Sequence, residues 1–345
     1  MNKNLTQREE STPNDEQCSP IDVVYTWVDG NDPKLNALRR KYMGLDTEES
    51  GDDIGGATRY ANLGELYWSV ASINRFMPWV RKIFIVTDGQ DPMPQLQGIS
   101  ENFEHPIPIE IVDHKTVFKG FEDVLPVFNC NSIETMLWRI PGLSDRYIYF
   151  NDDMFVMAPM SPGEWFDEDG RLIMHGHKMN LRWAALLDRL RMKNGKHILG
   201  FKTPIIAAAN ALQSNHILYY YHTPLSQSRT LLEDFFKGKD DLIRKNITPK
   251  FRDKIQFSTH SLCNLLAEKA GKLVMRKENT NLFLKPTADR PDYLTTRLKK
   301  AANRTDLKVG CISSLDKGSA EQREEFENWI NQHLGLKSPT DNHNG

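Results

Sequence analysis

The sequence predicts an α/β fold: a Rossmann-like, mostly parallel sheet with a ligand site at the carboxyl ends of its strands, and a mainly helical C-terminal part packed on it. Two observations lead there. Short runs of large, β-favouring apolar residues at 21–28, 82–89, 109–114 and 147–150 are separated by helical patterns and turn residues. Strands that are apolar throughout belong to sheets covered on both faces. Each run also stops on an acid: Asp29, Asp88, Asp113, or the pair Asp152-Asp153. Ligands of such sheets bind outside the carboxyl ends of the strands, so four acids placed there predict a site.

Taken in order, residues 1–20 are polar and aperiodic and read as a disordered lead-in. Residues 21–345 then form a single unit, with halves at 21–160 and 161–335. The first strand, in IDVVYTWVDGNDP, ends on Asp29 and the turn residues up to Pro33. Residues 44–58 hold four glycines and many acids, a loop long enough to close over a site. At 62–77, Leu63, Leu66, Tyr67, Val70, Ile73 and Met77 recur at helical spacing, and Asn62 with Glu65 resembles a capping box. The strands in KIFIVTDG and IEIVDH follow, then a helix at about 132–140 with Asn131 as its cap, then the strand of RYIYFNDD. The stretch 203–225 runs apolar into YYYHTP, where the nearby Pro224 keeps His222 out of a helix interior. Helical patterns cover 228–246, 258–271 and 319–333.

Composition narrows the class. With 39% hydrophobic and 26% charged residues over 345 positions, the chain is globular, and no run approaches the ~20 apolar residues that span a bilayer. The first residues lack the apolar core of a signal peptide, so a cytoplasmic location is expected. Cys18, Cys130, Cys263 and Cys311 have no metal-type spacing and fit reduced thiols. There is no G-x-G-x-x-G after a strand and no P-loop. A net charge of −2 hides an asymmetry: residues 1–58 carry −6, whereas residues 243–300 carry fourteen Lys/Arg against five Asp/Glu. That basic segment is either a solvated surface or a contact for an anionic partner. Asp152 and Asp153 at a strand end suit a divalent cation, or else only turn chemistry.

Together these residues resemble the Stealth family of sugar-1-phosphate transferases, which build capsular and exopolysaccharides. The first block is IDVVYTWVDGNDP. The second, the most specific, is RYANLGELYWSVASINRFMPWVRKIFIVTDGQDP continuing through LPVFNCNSIETMLWRIPGLSDRYIYFNDDMFV. A third is similar to YHTP with the downstream FRD at 251–253. The fourth block keeps Cys311 but loses the Asn-Asp pair expected after it.

The resemblance implies transfer of hexose-1-phosphate from a UDP-sugar to a sugar hydroxyl, with release of UMP and formation of a phosphodiester. The family's active-site residues fall by position on Glu134, Asp153, His222 and Arg252. Asp152 and Asp153 would hold Mg²⁺ or Mn²⁺. Glu134 also reads as a capping residue with Asn131. His222 could act as general base, as nucleophile, or as a packed ring, and Arg252 as phosphate clamp or solvated charge. Trp27, Asp29, Arg59, Asp88 and Gln90 are candidates for the nucleotide sugar, with Trp27 stacking on the base or filling core. His114, His175 and His177 carry no assignment. Expected partners are the UDP-sugar and an anionic polysaccharide or oligosaccharide acceptor, but no nucleic acid. Peripheral contact with the inner membrane face or capsule-assembly machinery is a further expectation. The rival readings are a metal-dependent glycosyltransferase releasing UDP and a nucleotide-sugar-binding protein without turnover.

Overall fold

The computed structural model describes residues 19–44, 63–193 and 200–337. The proposed lead-in to residue 18, nearly all of the glycine-rich loop, Arg59 and Asn62 lie outside the described residues. The first half runs β1 (Ile21–Thr26), α1 (Pro33–Met43), α2 (Glu65–Phe76), β2 (Ile83–Thr87), α3 (Gly98–Asn102), β3 (Ile109–Asp113), α4 (His114–Val117), α5 (Cys130–Glu134), β4 (Arg146–Phe150) and β5 (Met154–Val156). Then come β6 (Leu172–Asn180), α6 (Leu181–Lys193), α7 (Lys202–Ala211), β7 (His216–Tyr220), β8 (Leu225–Ser228), α8 (Arg229–Phe236), α9 (Asp240–Ile247) and α10 (Thr259–Lys269). The chain continues through β9 (Leu273–Arg276), β10 (Asn281–Leu284), α11 (Tyr293–Ala302), β11 (Val309–Ile312) and α12 (Ala320–Leu334). None of these helices is long and apolar enough to cross a membrane.

The main sheet has the order β3-β2-β1-β4-β8. Its first four strands are mutually parallel, and β8 closes the edge of β4 in antiparallel fashion. The fold class expected from the sequence is therefore the one found. β1, β2 and β4 are apolar runs because both faces are covered, with Val23, Val24, Ile83, Phe84 and Ile148 fully buried. β3 differs because it is the free edge, and Ile111 there is exposed. The order turns back at β1, which has β2 on one side and β4 on the other, so the crevice of such a sheet opens between the ends of β1 and β4.

One charge sits inside this core. Asp22, on β1, has no exposed surface. It accepts from Arg81 Nε at 2.8 Å and Nη2 at 2.6 Å, and from the Ser144 amide at 2.7 Å. The ion pair and amide replace the water that burial removes.

Two small sheets bring the C-terminal half to the crevice. β5 continues directly from the acidic turn and pairs antiparallel with β11, placing Cys311 opposite Met154. β7 pairs with β6 and delivers the His222 loop, which is held by a bond from Asn281 Nδ2 to the His222 carbonyl at 2.7 Å.

Several helix boundaries differ from the sequence reading. The helix expected at 132–140 splits into α5 and a 3₁₀ turn at Leu137–Arg139, and its cap is Asn129, whose side chain accepts from Ser132 N. Asn131 lies inside α5, so Glu134 is its last residue and not the partner in a capping box. The helix at 228–246 is two helices, broken around Gly238 at φ 69°. The helix at 62–77 begins at Glu65, after Gly64.

Candidate active site

A cavity of about 700 Å³ opens at the carboxyl ends of β1 and β4. Its lining joins both halves of the chain and includes Trp27, Asp88, Glu134, Asp152, Asp153, His222 and Arg252. Seven of the nine sequence-derived site residues that fall among the described residues thus face one space. The other two, Asp29 and Gln90, are absent from that lining. They bind each other instead: Gln90 Oε1 accepts from the Asp29 amide at 2.9 Å, and Gln90 Nε2 donates to Asp29 O at 3.1 Å. This pair ties the turn after β1 to the turn after β2.

The acidic turn forms because β4 ends in the crevice. Asp152 Oδ1 accepts from the Asp153 amide at 3.1 Å, which is ordinary turn chemistry. More than a turn is present, however. Asp153 Oδ1 is buried with no hydrogen-bond partner. Burial and the neighbouring Asp153 and Glu65 carboxylates push Asp152 up to about 8. Burial also raises Asp153 and Glu65. Burial, with repulsion of Asp152 by its two acidic neighbours, disfavours bare charge here, and a hard divalent cation at Asp152 and Asp153 would relieve it.

His222 and Cys311 stand beside Asp153, with one ligand-type atom of each within 4.8 Å of the others. Among the described residues this is the group with metal-binding geometry. Burial, reinforced by Asp153, raises the Cys311 thiol well above its usual range, and its Sγ donates to Asp153 Oδ2 at 3.4 Å. A protonated thiol in that role orients the carboxylate and leaves cation binding to the oxygens. The His222 ring meets Phe283 edge to face at 5.7 Å.

A second cluster surrounds Glu134. Its Oε2 lies 3.3 Å from His260 Nε2, and its Oε1 lies 3.3 Å from Tyr149 Oη. Burial opposes ionisation of Glu134, but His260, Arg252 and the Cys130 thiol outweigh it and hold the carboxyl below the usual range. Arg252 Nη2 donates to Cys130 Sγ at 2.9 Å. Burial keeps that thiol protonated, up to about 11, against the pull of Arg252. Tyr149 Oη also lies 3.0 Å from Asn151 Oδ1 and 2.9 Å from Thr26 Oγ1, so it connects this cluster to the acidic turn and to β1.

Buried polar bonds fix these groups. Gln256 Nε2 donates to Ser132 Oγ on α5 at 3.0 Å and to Asn246 O at 2.7 Å. Asn246 Nδ2 donates to Thr135 Oγ1 at 2.8 Å, and Thr135 Oγ1 meets Thr259 Oγ1 at 3.1 Å. The loop bearing Arg252, the end of α5 bearing Glu134 and the start of α10 bearing His260 are thereby locked together.

Trp27 and His114, also in the cavity lining, are buried, and Trp27 Nε1 and His114 Nδ1 have no hydrogen-bond partner. Asp88 Oδ1 lies 3.9 Å from His114 Nδ1. His175 contacts the Glu278 carbonyl, and His177 packs on Tyr219. Three cations of the basic segment at 243–300 have local partners or line the site. Arg244 pairs with Asp123, Lys250 donates to two carbonyls, and Arg252 enters the site.

Sequence reasoning missed Glu65, Cys130, Tyr149 and His260. Glu65 looked like a cap, Tyr149 like strand filling, and His260 is an isolated ring in a helical pattern. The NCNSIE context offered a signal for Cys130, since Cys130 and Glu134 lie four apart on one helix face.

The model of Stealth conserved region 1 matches residues 19–46, and that of conserved region 2 matches residues 59–174. A capsular polysaccharide phosphotransferase of Haemophilus influenzae is 32% identical over 239 residues, covering 65% of this chain and 62% of the relative. A capsular polysaccharide phosphotransferase of Neisseria meningitidis serogroup B is 40% identical over 152 residues, 44% of this chain and 39% of the relative. An exopolysaccharide phosphotransferase of Streptomyces coelicolor is 43% identical over 154 residues, 44% of this chain but 15% of the relative. The chain therefore spans less than two thirds of each. Among solved structures, the galactosyltransferase LgtC in complex with donor and acceptor analogues superposes with a TM-score of 0.47 at 13% identity, covering 92% of this chain and 96% of that one. A likeness so distant leaves function to the site itself. The two matched regions, which supply Trp27, Glu65, Asp88, Glu134, Asp152 and Asp153 to the cavity, are Stealth conserved regions 1 and 2.

Proposed function

We propose that the protein transfers hexose-1-phosphate from a UDP-sugar to a hydroxyl of a capsular or exopolysaccharide acceptor. The observation that carries this reading is the single cavity in which a guanidinium, a histidine and converging carboxylates meet at the β1/β4 crevice. The names of the relatives favour attack on phosphorus over attack on the anomeric carbon.

In this scheme the acceptor oxygen attacks the phosphorus that bears the sugar. The bond from that phosphorus to the bridging oxygen breaks, and UMP leaves with the bridging oxygen. The hydroxyl proton passes to His222 as general base. Arg252 offers paired donors to the phosphoryl oxygens, and Glu134 holds Arg252 and His260 in place through its charge. Asp153, in the described group with metal-binding geometry, would with the adjacent Asp152 hold a divalent cation, Mg²⁺ or Mn²⁺. When bound, that cation supplies charge neutralisation at the diphosphate. Trp27, Asp88 and His114 line the part of the cavity assigned to the nucleoside. The unpartnered Trp27 Nε1 donor suits the nucleoside's carbonyl or hydroxyl oxygens, and Asp88 offers carboxylate acceptors.

The product decides between the two bonds that could break. Phosphorus-31 spectra of the extended acceptor should show a phosphodiester, with the donor's anomeric configuration retained. A product free of phosphorus contradicts the proposal.

A further inference from the structure

Helix α6 carries an apolar stripe that nothing in the described chain covers. Trp183, Leu186, Leu187 and Leu190 are 65, 44, 46 and 48% exposed. Their spacing of three, four and seven sets them along one side of the helix. The opposite side faces the protein, where Ala184 is fully buried against its neighbours and α6 packs on α7. A contiguous apolar strip of this kind on a surface marks an interaction site.

The charges around it are of one sign. Asp188 is the sole acid between residues 181 and 200, and it is turned toward α7, where its Oδ2 accepts from Thr203 Oγ1 at 2.9 Å. Arg182 and Arg189 are exposed beside the stripe. Trp and Leu on one face with basic residues at its margin is the chemistry of a helix lying in the interface of an anionic bilayer. A second copy is disfavoured, because a two-fold contact would set Arg182 and Arg189 against the same cluster. Phe201, exposed and next to α7, also lines the cavity.

We propose that α6 docks the protein on an anionic phospholipid surface. This inference is independent of the transfer reaction, because its test reads binding and not turnover.

The full-length chain is sedimented with vesicles of phosphatidylcholine alone and with about 30% phosphatidylglycerol. Wild type should partition onto the anionic vesicles in preference to neutral ones. Each arginine near such a surface contributes about fivefold, so Arg182→Ser with Arg189→Ser should weaken binding about 25-fold. Leu186→Glu with Leu190→Glu should reduce it to background, with unchanged thermal unfolding since both side chains are exposed. Equal partitioning onto neutral vesicles, or anionic binding that survives both pairs of substitutions, overturns the proposal. So does a wild-type dimer that the leucine pair dissociates without any vesicle binding.

Discussion

The crowding of Glu65, Asp152 and Asp153 makes a prediction about stability that needs no substrate. An aspartate has an ordinary value of 3.8, and Asp152 is pushed up to about 8, chiefly by burial and then by Asp153 and Glu65. Between those values the folded protein holds a proton that the unfolded chain has lost. Stability in chelator is therefore fully present below about pH 4 and declines as pH rises toward 8. Four pH units set a ceiling of about 6 kcal/mol. Water reaching the partly exposed carboxylate screens it and brings the realised cost to about 2–3 kcal/mol. Asp152→Asn removes the charge and keeps the shape. In chelator at pH 8 the variant should melt above wild type by about 3–5 °C, a gap that closes toward pH 5. Mg²⁺ or Mn²⁺ should raise the wild-type melting temperature more at pH 8 than at pH 5, because proton and cation compete for the same oxygens, and should raise the variant less. Differential scanning calorimetry across pH, with and without cation, reads all of this. A pH-independent difference between the two proteins, or a cation effect equal in both, refutes the reasoning.

Other outcomes follow from the same structure. His222→Ala and Arg252→Ala should each lower kcat by about 100-fold or more, since base and phosphate clamp act mainly in the transition state; near-wild-type turnover of His222→Ala would move the base to Glu134. Asp22→Asn faces the Arg81 and Ser144 donors with an amide and should cost about 3 kcal/mol in denaturant unfolding, while a loss under 1 kcal/mol would contradict the buried ion pair. Lys299 and Lys300 form the exposed last turn of α11. Their reversal to Glu should weaken long anionic acceptors more than short ones, with KM rising with salt in wild type; equal effects on both lengths would mark a plain solvated surface.

The sheet was legible because a strand covered on both faces cannot alternate. The apolar runs of β1, β2 and β4 announced themselves, and the acids at their ends fell on one edge once the strands proved parallel. Local ambiguity hid other features. Asn129 and Asn131 are both good caps, and only the structure shows that Asn129 takes the role, which leaves Glu134 facing the cavity. Cys311 reaches Asp153 through pairing between β5 and β11, strands some 150 residues apart, and no local pattern carries such a contact. His260 gave no signal either, because its place beside Glu134 depends on the buried bonds linking α5, the Arg252 loop and α10.

The central claim concerns which bond the enzyme breaks, and the released nucleotide reports it directly. Purified protein is incubated with UDP-N-acetylglucosamine or another UDP-hexose, a divalent cation and an oligosaccharide acceptor, and the nucleotides are separated at early times. Attack on phosphorus releases UMP in step with acceptor extension. UDP as the sole primary product would contradict the account, because it leaves only when the anomeric C–O bond is cut.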